Sequence, residues 1–83
     1  MTSKVAVITG SSGGIGRALV NTFLDDNFFV FGIDLNPKGK IHDRFEEVVA
    51  DLFQFAKNED YRDVVMGKII NLLTITSMKV EVY

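Results

Sequence analysis

Val5-Ala6-Val7-Ile8 is an unbroken apolar run, bounded by Lys4 and Thr9. It does not alternate between apolar and polar positions, so it predicts a strand covered on both faces. Thr9 to Gly14 is a Gly/Ser loop. From Ile15 the period changes. Ile15, Ala18, Leu19, Thr22 and Phe23 fall at helical spacing, with Arg17, Asn21 and Asp25 on the other side. Asn27 predicts the stop, because Asn tolerates the left-handed conformation that follows a helix. Phe28-Phe29-Val30-Phe31-Gly32-Ile33 is a second buried-strand run ending at Asp34. Gly32 within it marks close approach of a helix or a ligand to the backbone. Asn36 to Lys40 is a turn by composition.

Beyond the turn the pattern is less decisive. Residues 45–53 suit a helix by their Glu and Ala, and 47–51 equally suit a third parallel strand. Asn58 is a good N-cap, and Glu59 and Asp60 suit the positive end of the helix that follows. Tyr61, Val64, Val65, Ile69, Leu72 and Leu73 hold one face of that helix, yet 69–75 would also serve as a buried strand. The tail, 78–82, alternates as a half-buried strand or a frayed end does. Strand, helix and strand in the first 34 residues imply a parallel pair with a crossover helix. The expected fold is α/β, a Rossmann-like three-layer parallel sheet truncated at about four strands.

Composition narrows the function classes. The chain has 83 residues, 47% hydrophobic and 24% charged, which excludes disorder and leaves room for one domain. A net charge of −2 argues against a charge-driven role on nucleic acid or a membrane surface. There is no Cys, hence no disulfide and no thiolate chemistry, and one His (His42) builds no metal cluster. No apolar run reaches membrane-spanning length and the start is unlike a signal peptide, so a cytoplasmic location is expected.

The informative segment is the loop between the first strand and the first helix. Gly10 ends the strand where positive φ is useful. Gly14 opens the helix, where a side chain would obstruct a pyrophosphate approaching the backbone. Gly16 permits tight packing of helix on strand. The helix N-terminus offers free N–H groups and about half a positive charge, and Ser11 and Ser12 add hydroxyl donors without bulk. Arg17 either leans toward the same phosphates or is simply solvated. Asp34, closing the second strand, is placed to accept from the ribose hydroxyls of an adenosine and to repel a 2′-phosphate. That favours NAD over NADP, against which stand Lys38 and Lys40 in the following turn. A Gly-rich loop alone often makes only a turn. Here a buried strand, spaced glycines, an amphipathic helix, a second buried strand and a terminal acid coincide.

Thr9-Gly10-x-x-x-Gly14-x-Gly16, followed by Arg17-Ala18, resembles the cofactor motif of the short-chain dehydrogenases/reductases. The resemblance runs from about Lys4 to about Leu73. It implies an oxidoreductase fold in which Gly10, Ser11, Ser12, Gly14, Ile15, Gly16 and Asp34 meet the cofactor. It also implies that Asp51-Leu52 matches the acidic-aliphatic pair that contacts adenine, so that 45–53 contains a third strand ending at Leu52, with a short or missing helix before it. The family's Asn-Asn-Ala-Gly is absent. So is its Ser with Tyr-x-x-x-Lys: Tyr61 is followed at the fourth position by Val65, and Tyr83 is the last residue. The chain thus looks like the first third of such a protein, one NAD(P)-binding domain incomplete at its C-terminal side and without catalytic residues of its own.

Other readings remain. Gly10-x-x-Gly13-x-x-Gly16 is the spacing of the family's extended branch of epimerases and dehydratases. A non-catalytic dinucleotide-binding module and a non-functional fragment are further alternatives. An uncovered sheet edge would favour self-association. His42, Asp25-Asp26 and the acids Asp43, Glu46 and Glu47 read as solvated surface. The phenylalanines read as core, with exposure expected at Phe28 or Phe53.

Overall fold

The computed structural model describes residues 4–72 and 79–83. Four strands, β1 (Lys4–Thr9), β2 (Phe29–Asp34), β3 (Phe45–Val49) and β4 (Lys79–Val82), form one sheet in the order β3-β2-β1-β4. Every neighbouring pair is parallel. The helices are α1 (Gly14–Asp25), α2 (Leu52–Lys57) and α3 (Glu59–Leu72). The four-stranded α/β sheet expected from the pattern is therefore present.

The two apolar clusters show the three layers. Val5 and Val7 of β1, Phe31 and Ile33 of β2, and Ala50 pack with Phe55 of α2 and Val65 and Ile69 of α3. Ala6, Ile8, Val30 and Phe45 pack on the opposite face with Val20 and Leu24 of α1. Consecutive strand residues serve opposite faces, which is why β1 and β2 had to be apolar throughout. Burying each such side chain contributes roughly 1.5–3 kcal/mol.

Several boundaries differ from expectation. The third strand stops at Val49, not at Leu52. Asp51 has left the sheet, and its carboxylate accepts the N–H groups of Phe53 and Gln54, so Asp51 is the N-cap of α2 and Leu52 its first residue. The buried face of α1 is also rotated. Gly16, Val20 and Leu24 point inward, with Leu19 and Phe23 beside them, while Ile15, Ala18 and Thr22 are exposed. On α3 the inward residues are Val65 and Ile69, and Val64 faces out. Phe28 is buried, whereas Phe53 is exposed.

Other expectations hold. Asn27 has φ 66° just past α1. Asn58 Oδ1 accepts the Tyr61 N–H at 3.0 Å and starts α3. No helix separates β2 from β3. Residues 69–72 are helical, the remainder of the 69–75 alternative lies outside the described residues, and 79–82 is a strand. The β1–β4 ladder continues through Tyr83, whose N–H donates to Val7 O at 2.7 Å and whose carbonyl accepts from Thr9 N at 2.9 Å.

Candidate functional site

The strand C-termini converge on the loop 10–13. Gly10 has φ +67°, a conformation that L side chains rarely adopt. Its N–H donates to Ile33 O at 2.7 Å and its carbonyl accepts from Gly13 N at 3.0 Å, which folds the loop back over the end of β2. A Cβ on Gly16 would stand 1.8 Å from Gly10 O, so this glycine locks α1 onto the loop. A Cβ on Gly14 would meet nothing within 4 Å. Packing thus requires glycine at 16 and leaves position 14 open to the surroundings.

The α1 N-terminus is electrically unbalanced. Gly13 provides no side-chain cap and the first turn holds no acid. The N–H groups of Gly14 and Ile15 lie at this exposed end, where a helix has no carbonyl of its own to offer them. Anions are favoured at such a position.

Asp34 reaches the same loop. Its Oδ2 accepts the Ser12 N–H at 3.0 Å and its Oδ1 accepts Asn36 N–H at 2.9 Å. Leu52 is the residue nearest to a Cβ built on Gly10, at 3.7 Å from its Cδ1. The backbone of Asp51 is held by the Tyr61 hydroxyl, which accepts its N–H at 2.8 Å, and its carboxylate caps α2. The structure therefore groups Gly10, Ser11, Ser12, Gly14, Ile15 and Gly16 in one turn, ties Asp34 to it, sets Leu52 against it, and puts Asp51 beside Leu52 as a helix cap.

Two features were not anticipated. Gly32 answers to Ser11: a Cβ there would lie 2.3 Å from Ser11 Oγ. The close approach is thus made by a loop side chain. Glu47, expected on the surface, accepts the Ser11 hydroxyl at 3.1 Å and the Ser12 hydroxyl at 3.0 Å, both at Oε2. The signal for it was present once β3 is a strand. Glu47 pairs with Gly32, and alternation puts it on the α1 side with Phe45, where Ser11 sits. Ser12 Oγ also accepts the Lys38 N–H at 2.9 Å, which fastens the turn after β2. A cleft of about 370 Å³ opens here, lined by Ser11, Ser12, Arg17, Lys38, Lys40 and Glu47 among others.

Both tyrosine hydroxyls are engaged within the chain. Tyr61 is engaged with the Asp51 backbone. The Tyr83 phenol donates to the Glu81 carboxylate, and this hydrogen bond, with lesser help from desolvation and the Glu81 charge, raises its pKa above the ordinary value. Among the described residues no three His, Asp or Glu side chains gather as a metal site. No helix among them is long and apolar enough to cross a membrane.

No family model matches the chain. A short chain dehydrogenase, ple7, from Rhodocybe pseudopiperita is 49% identical over 37 residues, 45% of this chain and 15% of that protein. The ligand-free aldohexose dehydrogenase AldT of Thermoplasma acidophilum superposes with TM-score 0.69 and 25% identity, over 86% of this chain and 26% of its own. A short chain dehydrogenase of Leptospira borgpetersenii with bound NAD+ superposes with TM-score 0.68 and 27% identity, over 87% of this chain and 28% of its own. The chain spans 15% of the curated relative's length and about a quarter of each solved structure. On the glycine motif, the sheet order and these matches together, the chain resembles a segment of the short-chain dehydrogenases/reductases in sequence and in fold.

Proposed function

We propose that this segment is the nicotinamide-dinucleotide-binding part of a short-chain oxidoreductase, one domain that holds the adenosine diphosphate half of NAD and does not itself carry out hydride transfer. The observation that carries the reading is the 3.0 Å bond from Ser12 N–H to Asp34 Oδ2. It places a carboxylate from the end of β2 beside a loop whose helix offers uncapped amides. The diphosphate would lie on the N–H groups of Gly14 and Ile15, against the open surface of Gly14. Ser11, Ser12, Gly10 and Gly16 shape that turn, and Leu52 with Asp51 would border the adenine. Each Asp34 oxygen has lone-pair capacity beyond the one amide it accepts, so the ribose hydroxyls can still be held.

The bound NAD+ of the Leptospira relative supports this cofactor class. A second reading, NADP, draws on Arg17, Lys38 and Lys40 around the neighbouring cleft. NAD is preferred because Asp34 opposes a 2′-phosphate directly. The extended-branch alternative has less support, since Gly13 sits at an ordinary φ of −78° that does not demand glycine.

Calorimetric titration of the 83-residue chain tests the proposal. ADP-ribose and NAD should bind weakly, NADP more weakly still, and Asp34→Ala should reduce NAD affinity by about tenfold or more, the scale of a charge-assisted hydrogen bond. Mixed with NADH and a panel of carbonyl substrates, the chain should show no turnover. Absence of heat with both NAD and ADP-ribose overturns the binding assignment, and turnover overturns the non-catalytic one.

A further inference from the structure

We propose that Glu47 is a second specificity-determining residue, one that disfavours a 2′-phosphate by occupying and electrically offsetting the cationic cleft beside Asp34. The inference rests on the dinucleotide reading above and assigns a role to a residue outside the glycine motif. Glu47 stands on β3 opposite Gly32. The missing side chain at 32 lets Ser11 lie over β2, and from there Ser11 reaches Glu47. Ser12 donates its hydroxyl to the same oxygen, while its backbone N–H goes to Asp34. One serine thus joins two carboxylates from adjacent strands.

Two physical effects follow. The first is charge. Arg17, Lys38 and Lys40 line the cleft with Glu47, and three cations without an acid would attract a phosphate dianion strongly. A carboxylate within the lining removes part of that attraction and repels the dianion directly. The second is donor supply. The Ser11 and Ser12 hydroxyls are donors in the cleft lining, and both are directed at Glu47. A phosphate would have to take them from a charged acceptor, which binds hydroxyl protons more strongly than a neutral one does.

The test compares adenosine 2′,5′-bisphosphate with 5′-AMP, which differ only in the 2′-phosphate. Glu47→Gln retains an oxygen that accepts from the serines and removes the charge. It should tighten the bisphosphate about tenfold relative to 5′-AMP, the order that one near-surface charge is worth. The gain should shrink at high salt. A purely structural clamp predicts the opposite pattern, equal weakening of both ligands or no change in their ratio, and either result overturns the proposal. A second measurement needs no variant. The wild-type preference for 5′-AMP over the bisphosphate should narrow as salt rises, because the repulsion by Glu47 is screened, and a preference independent of salt counts against the role. Intact 5′-AMP binding with unaltered selectivity sinks this inference alone, whereas a wild-type chain that binds neither ligand sinks the dinucleotide reading with it.

Discussion

Gly14 and Gly16 belong to one motif and do different things. At Gly16 an added methyl group would meet the Gly10 carbonyl at 1.8 Å, and backbone cannot yield as a flexible side chain can. Overpacking of this kind costs about 1–3 kcal/mol and sometimes more. At Gly14 the same methyl group meets nothing within 4 Å. Gly16→Ala should therefore lower the urea midpoint sharply. Gly14→Val should keep the far-UV circular dichroism of the native chain and lose binding of ADP-ribose. A Gly14→Val protein that binds ADP-ribose normally would remove the diphosphate from that surface. Gly32 is a third case, with its space taken by Ser11, and Glu47 completes the set because its partners are the hydroxyls that Gly32 admits.

The legibility of the elements varied with the physical signal each one carries. β1 and β2 are continuous apolar runs between breakers, and only a strand buried on both faces fits them. The C-terminal end of α1 and the start of α3 were readable because Asn27 and Asn58 act locally, one through its φ and the other through its side chain. The rotation of α1 was not readable, since apolar residues occupy both 15/19/23 and 16/20/24 and the choice is made by the Gly16–Gly10 contact. Glu47 was hidden for a related reason. Glu46 and Glu47 are chemically identical neighbours, and only the strand's alternation separates the exposed one from the bonded one. The family motif singled out Asp51-Leu52 but gave the wrong conformation for them. Asp51 caps α2 through Phe53 and Gln54, and a six-residue helix depends heavily on its cap. Asp51→Ala should destabilise the chain by about 1 kcal/mol in chemical denaturation. Asp51→Asn should recover most of that loss, because the acceptor is restored without the charge.

At the scale of the whole molecule the sheet has two edges, β3 and β4, each paired on one side only among the described residues. β4 has four residues, and beyond its ladder with β1 its other side has no strand among the described residues. Val82 and Tyr83 at its end are 52% and 45% exposed, and the Tyr83 ring touches Phe23 of α1. A chain this small buries only about 60% of its unfolded surface, so its stability margin is narrow and a further strand partner would be favoured. We propose that the chain associates with itself through this edge. Sedimentation velocity over a range of concentrations should show a rising weight-average coefficient. Val82→Lys places a charge at an exposed edge position, where it costs little in the fold and blunts edge-to-edge pairing, so it should hold the chain monomeric with the far-UV circular dichroism of the native chain. If the wild-type chain stays monomeric at every concentration, β4 is a protected edge. Its short length and the charge of Glu81 would then be the reason, since both are devices by which sheets avoid adding strands.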